Sequence, residues 1–229
     1  PAHPELLPLS ERYNIQNYRE RGLGAAWQTR WQGWDMRLGA RKSSLTMNSS
    51  LHPDSPLARV ADAEPFTPAF ALGRELGAQQ RIWLSRTQAF LPNRGQMASG
   101  AWLPASKSVQ WEAGWQWQTA TGVDGIAPRH RPQLSLTLFD IEQSNLPAVD
   151  PQDRDFFILR GDVRSRGVEL GAQAHTGPLE WAIAATFIDA RVTPGAGRAT
   201  REISGVASRS GMVQVAWPRT DGSRWWARM

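Results

Sequence analysis

The run Asp162–Thr193, DVRSRGVELGAQAHTGPLEWAIAATFIDARVT, decides how this chain folds. Val168, Leu170, Ala172 and Ala174 share one face, and Gly167, Glu169, Gly171 and Gln173 share the other, the period of two that a strand imposes. His175, Thr176, Gly177 and Pro178 turn the chain. Trp181, Ile183, Ala185 and Phe187 then resume the apolar row, with Ala182, Ala184 and Thr186 opposite. The segment therefore reads as a β-hairpin with one apolar face. A soluble sandwich alternates in the same way with that face in a core, so alternation alone leaves protein and lipid both open as the covering. Small residues mixed with aromatics near the strand ends, and Glu169 and Gln173 opposite, are what a wide barrel with a wet lumen and a lipid exterior would show.

Outward from the hairpin the same pattern recurs. Ser108–Gln118 places Val109, Trp111, Ala113, Trp115 and Trp117 on one side and Gln110, Glu112, Gly114, Gln116 and Gln118 on the other, whereas a helix would scatter those aromatics around its circumference. Gln133–Glu142 pairs next; Leu134, Leu136 and Leu138 are in phase, and Phe139 and Ile141 out of phase, which predicts a bulge near Leu138 or Phe139. Toward the N-terminus, Gly22–Trp31 and Trp34–Met47 form a hairpin around Gln32 and Gly33, its apolar phase kept through each strand. Phe66–Leu76 and Arg81–Phe90 form another, joined near Gly77. Ser49–Pro65, Leu91–Ser106, Asn145–Asp155 and Pro194–Arg201 read as Pro-, Gly- and Asp-rich loops. Met212–Trp217 is a short strand, and Ser223–Met229 begins one more. The length accommodates roughly ten strands. The predicted fold class is all-β, an antiparallel meander of hairpins in which long and short connections alternate.

The 229 residues contain no cysteine, which excludes disulfides, thiolate catalysis and cysteine-held zinc. The net charge of +5 comes almost entirely from arginine, with Lys42 and Lys107 the only lysines. The arginines are spread along the chain without a basic stripe, which argues against a nucleic-acid partner. Twelve tryptophans against two tyrosines recur in the strand-like segments, and tryptophan favours a water–lipid boundary because its ring is apolar and its N–H needs a polar partner. No apolar run is long enough for a membrane-spanning helix, and the N-terminus lacks a signal-peptide plan.

Catalytic and metal signatures are weak. His3, His52, His130 and His175 have no spacing that brings two onto one metal. Asp150, Asp153 and Asp155 lack the Gly and terminal Glu of a calcium loop. Glu112 and Glu169 fall on the polar face, where ion pairs with Arg164 or Arg166 are expected to line a lumen. No nucleophile elbow, phosphate loop or zinc motif occurs, so no enzymatic activity is expected.

Several segments, in order, resemble the barrel of a TonB-dependent siderophore receptor of the bacterial outer membrane. They are Phe66-Thr67-Pro68 followed by Ile82–Pro92; Leu103-Pro104 followed by Lys107–Gly114; Leu136–Asn145, LTLFDIEQSN; Gly161–Leu170, GDVRSRGVEL; and Trp181–Thr193. Trp83, Trp111 and Phe139 stand where the family often has tyrosine. The resemblance implies a partial barrel over residues 1–229 with no plug domain in view, either a fragment or a truncated relative. It implies a ferric siderophore as transported ligand with no resident cofactor, outer-membrane lipid and lipopolysaccharide as surroundings, and contact with TonB only through a plug. Arg94, Trp102, Arg129 and Phe156, near loop ends, are the expected ligand contacts, because stacking and positive charge suit an anionic complex. A soluble basic all-β binding module, or a truncated gene product without function, is the alternative.

Overall fold

The computed structural model describes residues 15–50, 58–93, 95–119, 132–154, 156–176, 178–194, 199–218 and 223–229. All regular structure among them is β: β1 (Ile15–Trp31), β2 (Trp34–Ser50), β3 (Ala58–Ala63), β4 (Phe66–Leu76), β5 (Gln80–Leu91), β6 (Ser106–Gln118), β7 (Gln133–Ser144), β8 (Pro147–Val149), β9 (Phe157–Leu159), β10 (Asp162–Thr176), β11 (Leu179–Thr193), β12 (Arg201–Glu202), β13 (Arg209–Pro218) and β14 (Arg224–Arg228). The chain divides into two compact units, residues 1–24 with 41–66 and residues 25–40 with 67–229.

In the larger unit, which takes the turn-proximal halves of β1 and β2, the strands pair in the order β1-β2-β4-β5-β6-β7-β10-β11-β13-β14. Ten strands lie on this path, as the length predicts. The turn between β1 and β2 has positive φ at both Gln32 (47°) and Gly33 (80°), the primed geometry whose twist matches two paired strands. Gly77 (φ 77°) turns β4 into β5. Long connections at the opposite ends of the strands carry short elements: β8 pairs with β9, and β12 pairs with the end of β11.

The two faces differ in what covers them. The row set by Val168, Leu170 and Ala172 continues through the register into Leu138, Leu136 and Leu134 on β7 and into Phe187, Ala185 and Ile183 on β11. Large members of this row are solvent-exposed: Leu138 at 49 %, Leu170 at 44 % and Ile183 at 46 %. In this unit only Leu103, Val163, Val192 and Ala216 are fully buried apolar residues among those described. A soluble sandwich would bury the whole apolar row against a second sheet. Here the row faces outward, the arrangement of a sheet whose solvent on that side is lipid.

Tryptophans mark the short-turn end of this outward face. The indole N–H groups of Trp115, Trp117 and Trp181 donate to Gln80, Gln79 and Thr176 at 3.0, 3.3 and 3.2 Å. The Arg74 guanidinium lies 5.0 Å from the Trp34 ring centre. Toward the other end Trp111 meets the Phe70 ring edge-on at 5.5 Å, with Arg86 at 5.8 Å. Trp115, Trp117 and Trp181 keep the polar edge bonded while the ring body stays apolar, as a girdle residue must.

In the smaller unit Glu20 accepts from Arg41 Nη2 and Ser43 Oγ, both at 2.9 Å, and from Tyr18 at 3.0 Å. Ser43, Leu45 and Met47 are buried there, and β3 pairs with β2 across a bulge between Met47 and Asn48.

Four expectations need correction. β7 has no bulge, since its register with β6 and β10 runs unbroken through Leu138 and Phe139. Phe139 is out of phase because it belongs to the other face, where its ring lies against Gly167. The apolar phase of β2 is not kept to Met47: Met36 and Leu38 have one parity, and the buried Leu45 and Met47 the other, because residues beyond Ala40 pack a core of their own. Segments read as loops contain β3 and β8, short pairings that satisfy backbone groups without lengthening any apolar row. Arg164 and Arg166 share the outward face with Val168 rather than the face of Glu112 and Glu169, because strand parity separates odd from even positions.

Candidate functional site

Two long connections at the same end of the sheet, residues 92–105 and 145–161, are locked together by a buried polar knot. Asn93 donates to the carbonyls of Pro104 at 2.7 Å and Asn145 at 2.6 Å. Ser106 Oγ lies 2.8 Å from Asn93 Oδ1 and 2.9 Å from the Asn145 carbonyl. The Asn145 amide closes the ring on the Ala105 carbonyl at 3.0 Å. Asn145 adopts φ 58°, a left-handed conformation that asparagine accepts more readily than most residues. Asn93 and Ser106 are 5 % and 7 % exposed, so every lost bond would leave a polar atom dry.

This knot positions two of the expected contacts. Trp102 forms an isolated bridge with Gln96, and the Gln96 carbonyl accepts the Phe157 N–H at 2.9 Å. The Phe157 ring lies over Gly95, where a Cβ would meet its Cδ2 at 2.5 Å. Phe156, half-buried, is held by backbone bonds to Asp150 and Asp153 at 3.0 and 3.1 Å. Trp102 and Phe156 are thus carried by one loop cluster, joined through Gln96 and Phe157. Arg94 and Arg129 lie outside the described residues.

Glu112 and Glu169 do lie on the polar face. Glu112 accepts from Trp83 Nε1 at 3.0 Å and Gln110 at 3.3 Å, and the Trp83 ring lies against Gly114. Glu169 stands exposed between Thr137 and Thr186. Gln173 and Gln133 bridge at 3.0 Å on the same side. This wall is amide, hydroxyl and carboxylate with ring-covered glycines, a surface suited to water and polar solutes. Asn93, Ser106 and Asn145 were missed from sequence. The signal available was an asparagine directly after a strand, a residue type that tolerates the left-handed turn. Among the described residues no cluster of three or more His, Cys, Asp or Glu could hold a metal.

An antiparallel meander with an uncovered apolar face and a polar opposite face is a section of a transmembrane β-barrel; the expected alternation of short and long connections does not hold between β6 and β7, where residues 119–132 join the strands at the end of the short turns. The family model described as "TonB dependent receptor-like, beta-barrel" matches residues 3–227, and the chain belongs to that family. The ferrioxamine B receptor of Salmonella typhimurium is 26 % identical over 176 residues, covering 76 % of this chain and 23 % of the receptor. The chain therefore spans about a quarter of that relative's length. Among solved structures, the ferripyoverdine receptor of Pseudomonas aeruginosa superposes over 90 % of this chain and 26 % of its own, with a TM-score of 0.68 and 15 % identity. The FrpB iron transporter of Neisseria meningitidis covers 93 % of this chain and 32 % of its own, with a TM-score of 0.68 and 15 % identity. These likenesses establish the fold. The chain is part of an outer-membrane barrel, and its sheet, ending at β1 and β14, is not closed by the described strands.

Proposed function

We propose that this chain supplies a wall of an outer-membrane receptor that takes up a ferric siderophore, driven through TonB by way of a plug domain. The observation that carries the reading is the outward exposure of the apolar row in a sheet of this family. The relatives' names, ferrioxamine B and ferripyoverdine receptors, supply the ligand class. Lipid and lipopolysaccharide cover the outward face, and the polar face lines the passage.

Within that reading the loop cluster of 92–105 and 145–161 is the ligand-facing mouth. Trp102 and Phe156 stack on the organic part of the complex, Arg94 adds positive charge, and the Asn93–Ser106–Asn145 knot keeps the platform rigid; Arg129 belongs to the β6–β7 connection, which leaves the sheet at the opposite, short-turn end, and has no part in this mouth. Glu112 and Glu169 keep the passage wet. The test is uptake of radiolabelled iron, supplied as a hydroxamate siderophore complex, by cells whose only receptor is the native full-length product of this gene. Uptake that disappears on removal of TonB supports the reading, and siderophore-independent or absent uptake overturns it. Trp102→Ala is expected to weaken binding of the complex about tenfold, read from intrinsic fluorescence quenching.

A further inference from the structure

The wet face changes character along the strands. Toward the short turns it carries charge: Arg81 on β5 sits beside Gln116, and His175 Nε2 on β10 lies 3.8 Å from Glu180 on β11. Glu169 is the last charge on these strands. From the row of Phe139 to the long connections, every position on this face of β7, β10 and β11 is uncharged. The register lays Phe139, Gly167 and Ile188 in one row and Ile141, Ser165 and Ala190 in the next. Phe139, Ile141 and Ile188 are half-buried. The Phe139 ring covers Gly167, so part of it is spent on packing the wall, whereas Ile141 and Ile188 adjoin only small side chains on β10. Glu112, the carboxylate beside Phe139 in the register, is engaged by Trp83 and Gln110. Lipid cannot cover this patch, because it lies on the face opposite the apolar row. The end of β7 that carries Ile141 runs directly into Asn145 of the polar knot, which makes the patch the inner wall just below the loop cluster.

An uncharged, partly apolar wall at an entrance sorts ligands by charge and by surface. Three hydroxamates neutralise ferric iron, whereas three catecholates leave a trianion. Pressing an ion against a wall that cannot pair it costs desolvation that a neutral complex escapes. Aliphatic spacers between the hydroxamates add surface that isoleucine side chains can remove from water. We infer that Phe139, Ile141 and Ile188 form a specificity wall that selects a neutral ferric trihydroxamate with aliphatic spacers over a ferric tricatecholate. The spacers lie on Ile141 and Ile188, and the Phe139 ring closes the inner side of the patch. An arginine at the rim donates to hydroxamate oxygens as it does to catecholate oxygens, so the discrimination falls to the wall. This inference rests on the transport reading above and narrows its ligand class.

The test is the dissociation constant of the native full-length receptor, read from quenching of its intrinsic fluorescence, for three ferric probes. They are a linear trihydroxamate with pentamethylene spacers, an equally neutral trihydroxamate with ether oxygens in its spacers, and a tricatecholate. Native protein is expected to bind the first about tenfold more tightly than the second, and the tricatecholate most weakly. Ile141→Ser/Ile188→Ser should lose about tenfold for the pentamethylene probe and little for the ether probe; Phe139 stays in place because its ring also packs the wall. Ser165→Arg, which sets a cation in the middle of the patch, should move the preference the opposite way, toward the tricatecholate, a gain that a misfolded protein could not show. Equal affinity of native protein for the pentamethylene and catecholate probes overturns the inference. So does a preference that neither variant moves. In both cases TonB-driven uptake of hydroxamate-bound iron would still stand. Absence of binding for all three probes together with absence of uptake is the failure of the transport reading itself, and takes this inference with it.

Discussion

Along β7 and β10 one face carries two chemistries. Leu134, Leu136 and Leu138 lie beside Ala172, Leu170 and Val168, and one rung further on Asp140 and Glu142 lie beside Arg166 and Arg164. Backbone, pairing and twist do not change at that boundary, since the register is unbroken. What changes is the solvent. Leucine is left uncovered where lipid will cover it, and charge appears where headgroups and water begin. The opposite face runs the other way: Ser135, Thr137, Glu169 and Gln173 are small or polar beside the apolar band, and its larger apolar residues, Phe139 and Ile141, come only beyond it. The difference between the faces is a direct reading of where the membrane lies.

The strongest test of that contrast is to place one charge on each side of the same strand. Leu170→Arg, in the band, is expected to destabilise the native full-length protein by about 2–4 kcal/mol, whereas Glu169→Arg, one residue away, should cost close to nothing. Equilibrium unfolding from lipid vesicles measures both, and equal costs would break the comparison. Next comes Gly167→Val, whose Cβ would run into Phe139 and the Phe187 carbonyl. Overpacking of this kind costs about 1–3 kcal/mol; Phe139→Ala combined with it should recover only part of the loss, because the Phe187 carbonyl still obstructs the new Cβ. Ser106→Ala should cost about 1–3 kcal/mol locally, by stranding the buried Asn93 oxygen. Its readout is faster protease nicking within 92–105 or 145–161 with the strands left intact. Smallest of all, Lys42→Ala should leave stability unchanged within error, because the Lys42–Glu64 pair at 3.2 Å is solvent-exposed on both sides.

The meander and its apolar face were legible because strand parity writes itself into residues such as Val168, Leu170 and Ala172 without reference to anything distant. The turns at Gln32-Gly33 and Gly77 were legible for the same local reason. Phe139 misled because an aromatic on the wet face looks like a slipped register, and the glycine it covers sits on another strand. Arg164 and Arg166 misled because a charge in a membrane strand is expected to face the lumen, whereas these lie past the edge of the band. The polar knot was hidden because Asn93, Ser106 and Asn145 meet only after two long connections fold together. Trp102 and Phe156 stood out in the sequence as aromatics beside breakers, but that one loop cluster carries both, through Gln96 and Phe157, depends on the same long-range closure.

The central claim is that the row containing Leu136 faces lipid and the row containing Thr137 faces water. Single cysteines at Leu136 and Thr137 in the native full-length protein, labelled with an environment-sensitive dye and placed in bilayers with brominated acyl chains, test it directly. The account predicts strong quenching at position 136 and little at position 137. Equal quenching at both positions, or stronger quenching at 137, would contradict it.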